Sequence, residues 1–245
     1  MYRLLDSARI VETLERLTRR VVERFPDASL AKVSAELTEL ARENDRRAHM
    51  LERPNYVLRA LSALILAVGM MLIAFVAMTL EVKRDTESIY STLQGIDSGL
   101  SIVIVAFGSV IFLATLESRW KRQQALGDLD ELRSIIHVID MHQLTKDPAS
   151  LLAAPTPASP VRRLDQAELV RYLDYCSEML SLSAKVAAVY AQSTRDPEVV
   201  AASSDLQQLT ANLSSKIWQK IRIAQAGAAT SAALTNASPA AAPAP

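Results

Sequence analysis

Two long apolar segments dominate the hydrophobic pattern of this chain. The first runs from Ala60 to Leu80 and the second from Leu100 to Leu116, and neither contains a charged residue. Both have about the 20 residues that a helix needs to cross a bilayer. The alternative is a buried hairpin in a soluble protein, but helices that are apolar on every face need extensive cover, which a chain of 245 residues supplies poorly. The sequence therefore predicts a transmembrane helical hairpin within residues 55–118, with spans at about 60–80 and 100–116.

Basic residues flank this hairpin on both outer sides and predict its orientation. Lysine and arginine near membrane ends stay in the cytoplasm, and short loops obey this rule best. The loop from Glu81 to Gly99 holds four acidic and two basic residues, so we expect it outside and both termini in the cytoplasm. Tyr56 and Trp120 fall at the two cytoplasmic boundaries, where aromatic residues are favoured. The basic flanking residues are Arg46, Arg47, Arg53 and Arg59 before the first span, and Arg119, Lys121 and Arg122 after the second.

The segment before the hairpin, residues 1–54, has the pattern of two amphipathic helices. Pro26 separates them, because proline cannot continue a helix interior. Each helix carries a short apolar stripe, so a cytoplasmic helical hairpin is predicted and a long coiled coil is not. The stripes are Ile10, Leu14, Leu17 and Val21 in the first helix, and Leu30, Val33, Leu37 and Leu40 in the second.

The second membrane helix is predicted to continue beyond the bilayer as a stalk over residues 119–147. No proline interrupts Leu100 to Lys146, and Gly127 weakens a helix without breaking it. Leu129, Leu132, Ile136 and Ile139 form its apolar stripe. Residues 148–161 hold four prolines and are predicted to be an extended linker.

A cytoplasmic helical pair is predicted for residues 162–224. Asp165 and Glu168 have the spacing of a capping box, and Asp196-Pro197 forms the turn between the helices. We expect the pair to pack antiparallel and to cover the stalk, which gives a small bundle and an all-α fold. Residues 225–245, rich in alanine and proline, are expected to be disordered. The stripes are Leu169, Leu173, Cys176, Leu180, Ser183, Ala187 and Tyr190, then Val199, Ala202, Leu206, Leu209, Leu213 and Ile217.

Composition narrows the range of partners. The formal net charge is zero, so no nucleic-acid partner is expected, and the lipid bilayer is the predicted environment. The single cysteine, Cys176, excludes an intramolecular disulfide and is interpreted as a small apolar residue on a helix face. The first apolar run lies behind a long charged segment, so no cleavable signal peptide is expected. Two membrane helices with cytoplasmic helical arms are typical of bacterial inner-membrane proteins, which is the expected location.

Motifs for chemistry are scarce, and we predict no catalytic residue, no cofactor site and no metal site. The sequence contains no phosphate-binding glycine loop, zinc-type cysteine pair or hydrolase nucleophile motif. His137, Asp140 and His142 form the one cluster of interest. His142 lies five positions after His137, about 140° around a helix, so one helix cannot offer both to one metal ion. A polar helix face with a local contact between His137 and Asp140 is the favoured interpretation, with a metal or catalytic pair and a partner-recognition face as alternatives.

Two classes of function remain after this survey. The first is a membrane anchor or scaffold that presents cytoplasmic helices for self-association or for docking a protein partner. The alternative is an oligomeric pore, a transporter subunit or a membrane-perturbing effector, although the spans carry only serine and threonine as polar residues. An enzyme is not expected. Trp218 is interpreted as a core residue of the bundle, with an exposed contact to a partner or to lipid headgroups as the alternative.

Overall fold

The computed structural model is all-helical and consists of six helices in the residues that it describes. These residues are 4–52, 56–82, 89–146, 148, 157, 164–194 and 196–237. No strand occurs among them, so the all-α prediction is confirmed. The helices are α1 (Ser7–Arg24), α2 (Ser29–Glu52), α3 (Tyr56–Val82), α4 (Ile89–Leu144), α5 (Gln166–Thr194) and α6 (Pro197–Ala237).

The chain divides into two compact units. The first unit combines Met1–Met50 with Ala125–Pro245, and the second is Leu51–Gln124. The first therefore holds α1, α5, α6, nearly all of α2 and the C-terminal part of α4, whereas α3 and the N-terminal part of α4 form the second. We call the first unit the bundle and the second the apolar hairpin.

The core of the bundle is built from the predicted apolar stripes. Leu14, Leu37, Ile136, Leu173 and Ile217 are among its fully or almost fully buried side chains. Every residue of the stripes in α1, α2, α4 and α5 is buried. In α6, Ala202 and Leu209 are only partly buried, while the other four members of the stripe are buried. The predicted helical bundle is thus confirmed, and it includes the N-terminal helices.

Two hydrogen bonds fix α5 and α6 as antiparallel neighbours. The Ser203 hydroxyl donates to the Ala187 carbonyl over 2.8 Å, and the Gln166 amide donates to the Ala224 carbonyl. As position advances along α6, its partner recedes along α5, which is the register of an antiparallel pair. The small residues Ser183 and Ala187 are fully buried, so the two helices approach closely there.

The predicted caps are present at the starts of α5 and α6. The Glu168 amide donates to the Asp165 carboxylate over 2.7 Å, and the Asp165 amide donates to the Glu168 carboxylate over 3.0 Å. This reciprocal pair is a capping box. The Asp196 carboxylate accepts from the Glu198 amide over 3.0 Å, directly after Pro197 begins α6. Both starts therefore have the geometry that the sequence predicts.

The structure differs from the sequence prediction at two helix boundaries. α4 begins at Ile89, well inside the predicted loop 81–99, so at most residues 83–88 separate α3 from α4. The polar residues of α4 that precede the apolar run form backbone hydrogen bonds within the helix, as the apolar residues do. α6 continues to Ala237, into the segment for which disorder is predicted, because alanine has the highest helix propensity even with nothing to bury. Most of the linker 148–161 and residues 238–245 lie outside the described residues.

α4 is one unbroken helix of 56 residues that passes through Gly127. At 1.5 Å per residue it is about 84 Å long. The bounds of α4 include the apolar segment 100–116 and most of the predicted stalk 119–147.

Candidate functional site

The predicted polar cluster near the end of α4 does not form a shared site. His137 is exposed, and the Asp140 carboxylate accepts a hydrogen bond from the Gln143 amide over 2.6 Å instead of contacting His137. The His142 ring contacts the Val138 carbonyl of its own helix at 2.8 Å. Within the described residues, no group of three or more metal-ligating side chains lies together. The favoured contact between His137 and Asp140 is therefore wrong, because Gln143 competes for the carboxylate from the next turn.

The structure instead brings Arg47, Asp128 and Tyr190 together, from three different helices. One Asp128 carboxylate oxygen accepts from the Arg47 guanidinium, and the other accepts from the Tyr190 hydroxyl over 2.8 Å. Asp128 is only 3% exposed and Tyr190 is fully buried. Arg47 remains about a quarter exposed. A buried charge of this kind is tolerated only when it is paired and hydrogen-bonded, and here both carboxylate oxygens have a donor.

The electrostatic environment keeps Tyr190 and Arg47 each in one protonation state. Burial raises the pKa of the Tyr190 phenol well above its usual value, and the neighbouring Asp128 carboxylate adds to the rise. The hydrogen bond to Asp128 raises the pKa of the Arg47 guanidinium, although desolvation opposes the rise. Tyr190 is therefore a neutral donor and Arg47 a permanent cation. The arrangement links α2, α4 and α5 through a carboxylate whose two oxygens are already engaged.

The sequence pattern did not lead to a prediction of this network, although charged residues on two apolar stripes do indicate it. Asp128 lies three residues after Ala125 and four before Leu132, both fully buried, so a charged residue sits on the buried face of α4. Arg47 continues the apolar stripe of α2 at helical spacing, but its position near the membrane segment suggested a boundary residue. A charged residue on each of two apolar stripes is the pattern that could have predicted the pair.

A second polar contact joins α6 to the last turn of α4. The Lys220 ammonium donates to the Gln143 carbonyl over 3.0 Å and to its side-chain oxygen over 2.7 Å. A cation at a helix C-terminus complements the negative end of the helix dipole.

Cys176 is fully buried, and burial raises the pKa of its thiol to about 12. The thiol is thus a packed apolar group, in accord with its sequence interpretation.

The apolar hairpin exposes large apolar side chains of the kind that the core of the bundle buries. Val103, Ile104 and Val105 are consecutive and all exposed, as are Phe107 and Phe112. Adjacent helical residues point about 100° apart, so three exposed neighbours already span a broad face. Within the described residues, one helix, Gly99–Leu144, is long and apolar enough to cross a membrane, whereas Arg59–Phe75 forms a shorter apolar helix. The span at 60–80, and with it the two-span hairpin, therefore stays a prediction.

The less exposed positions of the hairpin lie where α3 and α4 meet. Gly69 is buried there, and a Cβ atom added to it would lie 3.1 Å from the Cβ atom of Ala106. The glycine thus permits a close approach of the two helices. Small residues at helix–helix contacts are typical of membrane proteins, where close packing replaces the hydrophobic effect. Ile65, Leu72, Ile102 and Ser109 line an open cleft beside this contact.

An open groove between α5 and α6 contains Trp218, for which a core role was predicted. Trp218 is 53% exposed, so the core interpretation is wrong. The stripe of α6 places Ile217 and Ile221 in the core, and Trp218 follows Ile217 onto the outer face. The groove is lined by Gln166, Ala167, Val170, Arg171, Asp174, Trp218, Ile221 and Gln225.

Comparisons with known proteins supply no functional residues. The sequence matches no protein-family model, and no curated protein or solved structure is significantly similar to it. The candidate sites are therefore those that the packing itself defines: the Arg47–Asp128–Tyr190 network, the exposed surface of the apolar hairpin and the groove beside Trp218.

Proposed function

We propose that the chain is a two-span membrane anchor that carries a cytoplasmic helical bundle for self-association or for docking a protein partner. The observation that carries this proposal is the exposed apolar surface of the hairpin. Valine, isoleucine, leucine, methionine and phenylalanine side chains cover it on both helices. Contiguous exposed apolar surface beyond a few hundred square ångströms marks an interaction site, and lipid is the environment that accepts it on every side.

The dimensions of the two helices support two crossings. α3 has 27 residues, which corresponds to about 40 Å, whereas the hydrocarbon core is about 30 Å thick. Its only charged residues are Arg59 near the start and Glu81 near the end. Within it, Arg59–Phe75 forms a shorter apolar helix, and the apolar run of the sequence continues to Leu80. A helix of this length and composition can therefore cross the bilayer.

The orientation rests on basic residues at the cytoplasmic boundaries. Arg59 and Arg119 are well placed for this role. Arg47 contributes less than its position suggests, because it pairs with Asp128 inside the bundle. We infer that both termini lie in the cytoplasm and that the membrane is the bacterial inner membrane.

The groove beside Trp218 supports the docking role. An exposed tryptophan beside the partly buried Val170 offers the aromatic anchor that dominates many protein interfaces. The Arg171 and Asp174 side chains pair across 3.3 Å at this groove, which gives the apolar contact a polar rim. Interfaces commonly combine an apolar centre with such a rim.

Membrane location and orientation are tested by labelling single cysteines with an impermeant thiol reagent in intact cells. Cys176 is first replaced by alanine, and cysteine is introduced as Ser91→Cys or Ser7→Cys. We expect Ser91→Cys to react in intact cells and Ser7→Cys to react only after lysis. Reversed labelling would contradict the proposed orientation. Release of the protein from the membrane by alkaline carbonate would contradict its role as a membrane anchor.

The docking role is tested by the mass of the complex purified in mild detergent. We expect a mass above that of one chain, and a lower mass for Trp218→Ala. Val200→Ala is the matched control, because Val200 is an exposed apolar residue on the same helix. A monomeric wild type, or equal masses for Trp218→Ala and the wild type, would remove the support for this groove.

A further inference from the structure

A small cavity lies inside the bundle where α1, α2 and α5 meet. Its open space for the centre of a water-sized sphere is about 10 Å³. Most of its wall is apolar and buried, but α2 contributes adjacent polar side chains. The lining residues are Ser7, Ile10, Val11, Ala41, Asn44, Asp45, Val186, Val189 and Tyr190.

Asn44 is the unusual residue of this cavity. Its side chain is only 2% exposed, and among the described residues no protein atom forms a hydrogen bond with either its amide nitrogen or its amide oxygen. An unsatisfied buried polar group costs about 1–3 kcal/mol, and Asn44 has both a donor and an acceptor group in this position. Leucine or alanine would fit the apolar stripe of α2 without that penalty.

We propose that this cavity binds one water molecule, held by the side-chain amide of Asn44. Its volume lies at the lower end of the space that a single water needs, which is about 10–15 Å³. Apolar cavities stay dry, whereas a buried water needs two to four polar partners. The amide nitrogen can donate to the water oxygen, and the water can donate to the amide oxygen of Asn44 or to a neighbouring acceptor.

Tyr190 connects this water to the buried ion pair. Its side chain lines the cavity, and its hydroxyl proton is already donated to Asp128 over 2.8 Å. The phenol oxygen still has a free acceptor position, because a hydroxyl accepts as well as donates. Ser7 and Asp45 supply further polar atoms in the lining. The water thus extends the Arg47–Asp128–Tyr190 network to α1.

The site also has a structural consequence for the N-terminal segment. The Leu5 amide donates to the Gln192 side chain over 3.0 Å, and the Gln192 amide donates to the Leu5 carbonyl over 3.3 Å. These bonds hold the segment that precedes α1 against helix α5. The contact on α5 lies within one helical turn of Val189. The water and the two hydrogen bonds between Leu5 and Gln192 together position α1 against α2 and α5. The inference is independent of the membrane role.

Water–protein cross-relaxation in the full chain, isotope-labelled in detergent micelles, tests the proposal. The protons observed are the Asn44 side-chain amide and the methyl groups of Val186 and Val189. A water that stays bound while the protein tumbles gives laboratory-frame and rotating-frame signals of opposite sign. We expect that signature at all three residues. The exposed amide of Asn212 is the surface control, and it should lack the signature.

The variant Asn44→Leu separates bound water from exchanging hydroxyl protons. It removes the amide but keeps the hydroxyls of Ser7 and Tyr190, so a hydroxyl artefact would persist at Val186 and Val189. We expect complete loss of the signal at both valines. Absence of the signature in the wild type would overturn the proposal, as would its persistence in Asn44→Leu. A wild-type spectrum without the signature overturns the proposal even where the variant does not fold.

Discussion

The two parts of α4 use the same residue types in opposite ways. Ile104 in the apolar hairpin is 62% exposed, whereas Ile136 in the bundle is fully buried. Around Ile136 the buried apolar residues recur every three or four positions, and charged or polar residues such as Arg133, His137 and Asp140 lie between them, so one face is covered by protein. Around Ile104 the apolar residues are consecutive, so no single protein neighbour can cover them. The spacing of apolar residues, and not their number, therefore distinguishes the part of α4 that packs on protein from the part that stays exposed.

Polar groups show the same contrast. In the bundle, Asp128 is buried and finds its partners on other helices. In the apolar hairpin, the Ser109 hydroxyl donates to the Val105 carbonyl over 2.7 Å, and the Thr115 hydroxyl donates to the Phe112 carbonyl over 2.8 Å. These hydroxyls are satisfied within their own helix, which is what a lipid-facing helix requires. The buried carboxylate of Asp128 thus joins helices of the bundle, whereas these two hydroxyls of the hairpin bond within α4.

The largest expected effect is on the bundle core, through Leu173→Asp. Leu173 is fully buried on α5, and the substitution both removes packing and buries a carboxylate. It should cost about 5 kcal/mol, since truncation of a buried leucine alone costs about 2–5 kcal/mol and an unpaired buried charge adds to it. We expect the bundle to become sensitive to protease while the chain remains in the membrane fraction.

The control for this substitution is Ser181→Asp, at an exposed position of the same helix. It should leave protease resistance unchanged. If Leu173→Asp were equally resistant, the stripe of α5 would not be the core, and the contrast with the hairpin would fail.

The next effect concerns the hairpin and uses one substitution at two exposed positions of α4. Val105 and Val138 are both exposed, but Val105 lies within the apolar segment and Val138 lies in the bundle. An aspartate near the centre of a membrane helix costs about 3 kcal/mol of insertion free energy. Val105→Asp should therefore reduce the membrane-bound fraction after alkaline extraction, whereas Val138→Asp should not. Equal behaviour of the two variants would show that exposure at Val105 does not mean contact with lipid.

A smaller effect is expected for Asp128→Ala, which breaks the buried ion pair. Removing one partner of a fully buried pair costs about 3–5 kcal/mol, but Arg47 keeps some solvent contact and lies 3.3 Å from Glu43. We therefore expect a loss of about 2 kcal/mol in the free energy of unfolding, measured by urea titration in mild detergent. Asp130→Ala is the control, because Asp130 is exposed and contacts Arg133 only at 3.8 Å. A comparable loss in both variants would contradict the role of burial.

Sequence reasoning predicted the elements of the bundle better than its polar contacts. The stripes of α1, α2, α4 and α5 follow from helical spacing alone, because burial of an apolar face is a local pattern. The pairing of Arg47, Asp128 and Tyr190 depends on which helices become neighbours, which spacing within one helix does not encode. Trp218 was placed in the core because large aromatic residues are usually buried, yet the adjacent Ile217 holds the core position. The end of α6 was missed because an alanine-rich segment has a high helix propensity without any packing signal.

The smallest effect is expected for Tyr190→Phe, and it depends on pH. Tyr190 is fully buried, and its hydroxyl donates to Asp128. At pH 8 the loss of this bond should cost about 1.5 kcal/mol, the lower value for a hydrogen bond to a charged group.

Burial raises the pKa of this phenol in the folded protein. Above about pH 10 the unfolded wild type therefore loses a proton that the folded wild type keeps, and its stability falls by about 1.4 kcal/mol per pH unit through this group. The phenylalanine variant lacks that slope, so the difference between wild type and variant should shrink to nearly zero by about pH 11. Urea titrations at pH 8, 10 and 11 measure the difference, and Tyr56→Phe, at an exposed position of the hairpin, should show none at any pH. A difference that stays constant through pH 11 would mean that the phenol ionises alike in both states, and the buried network would lose its most specific member.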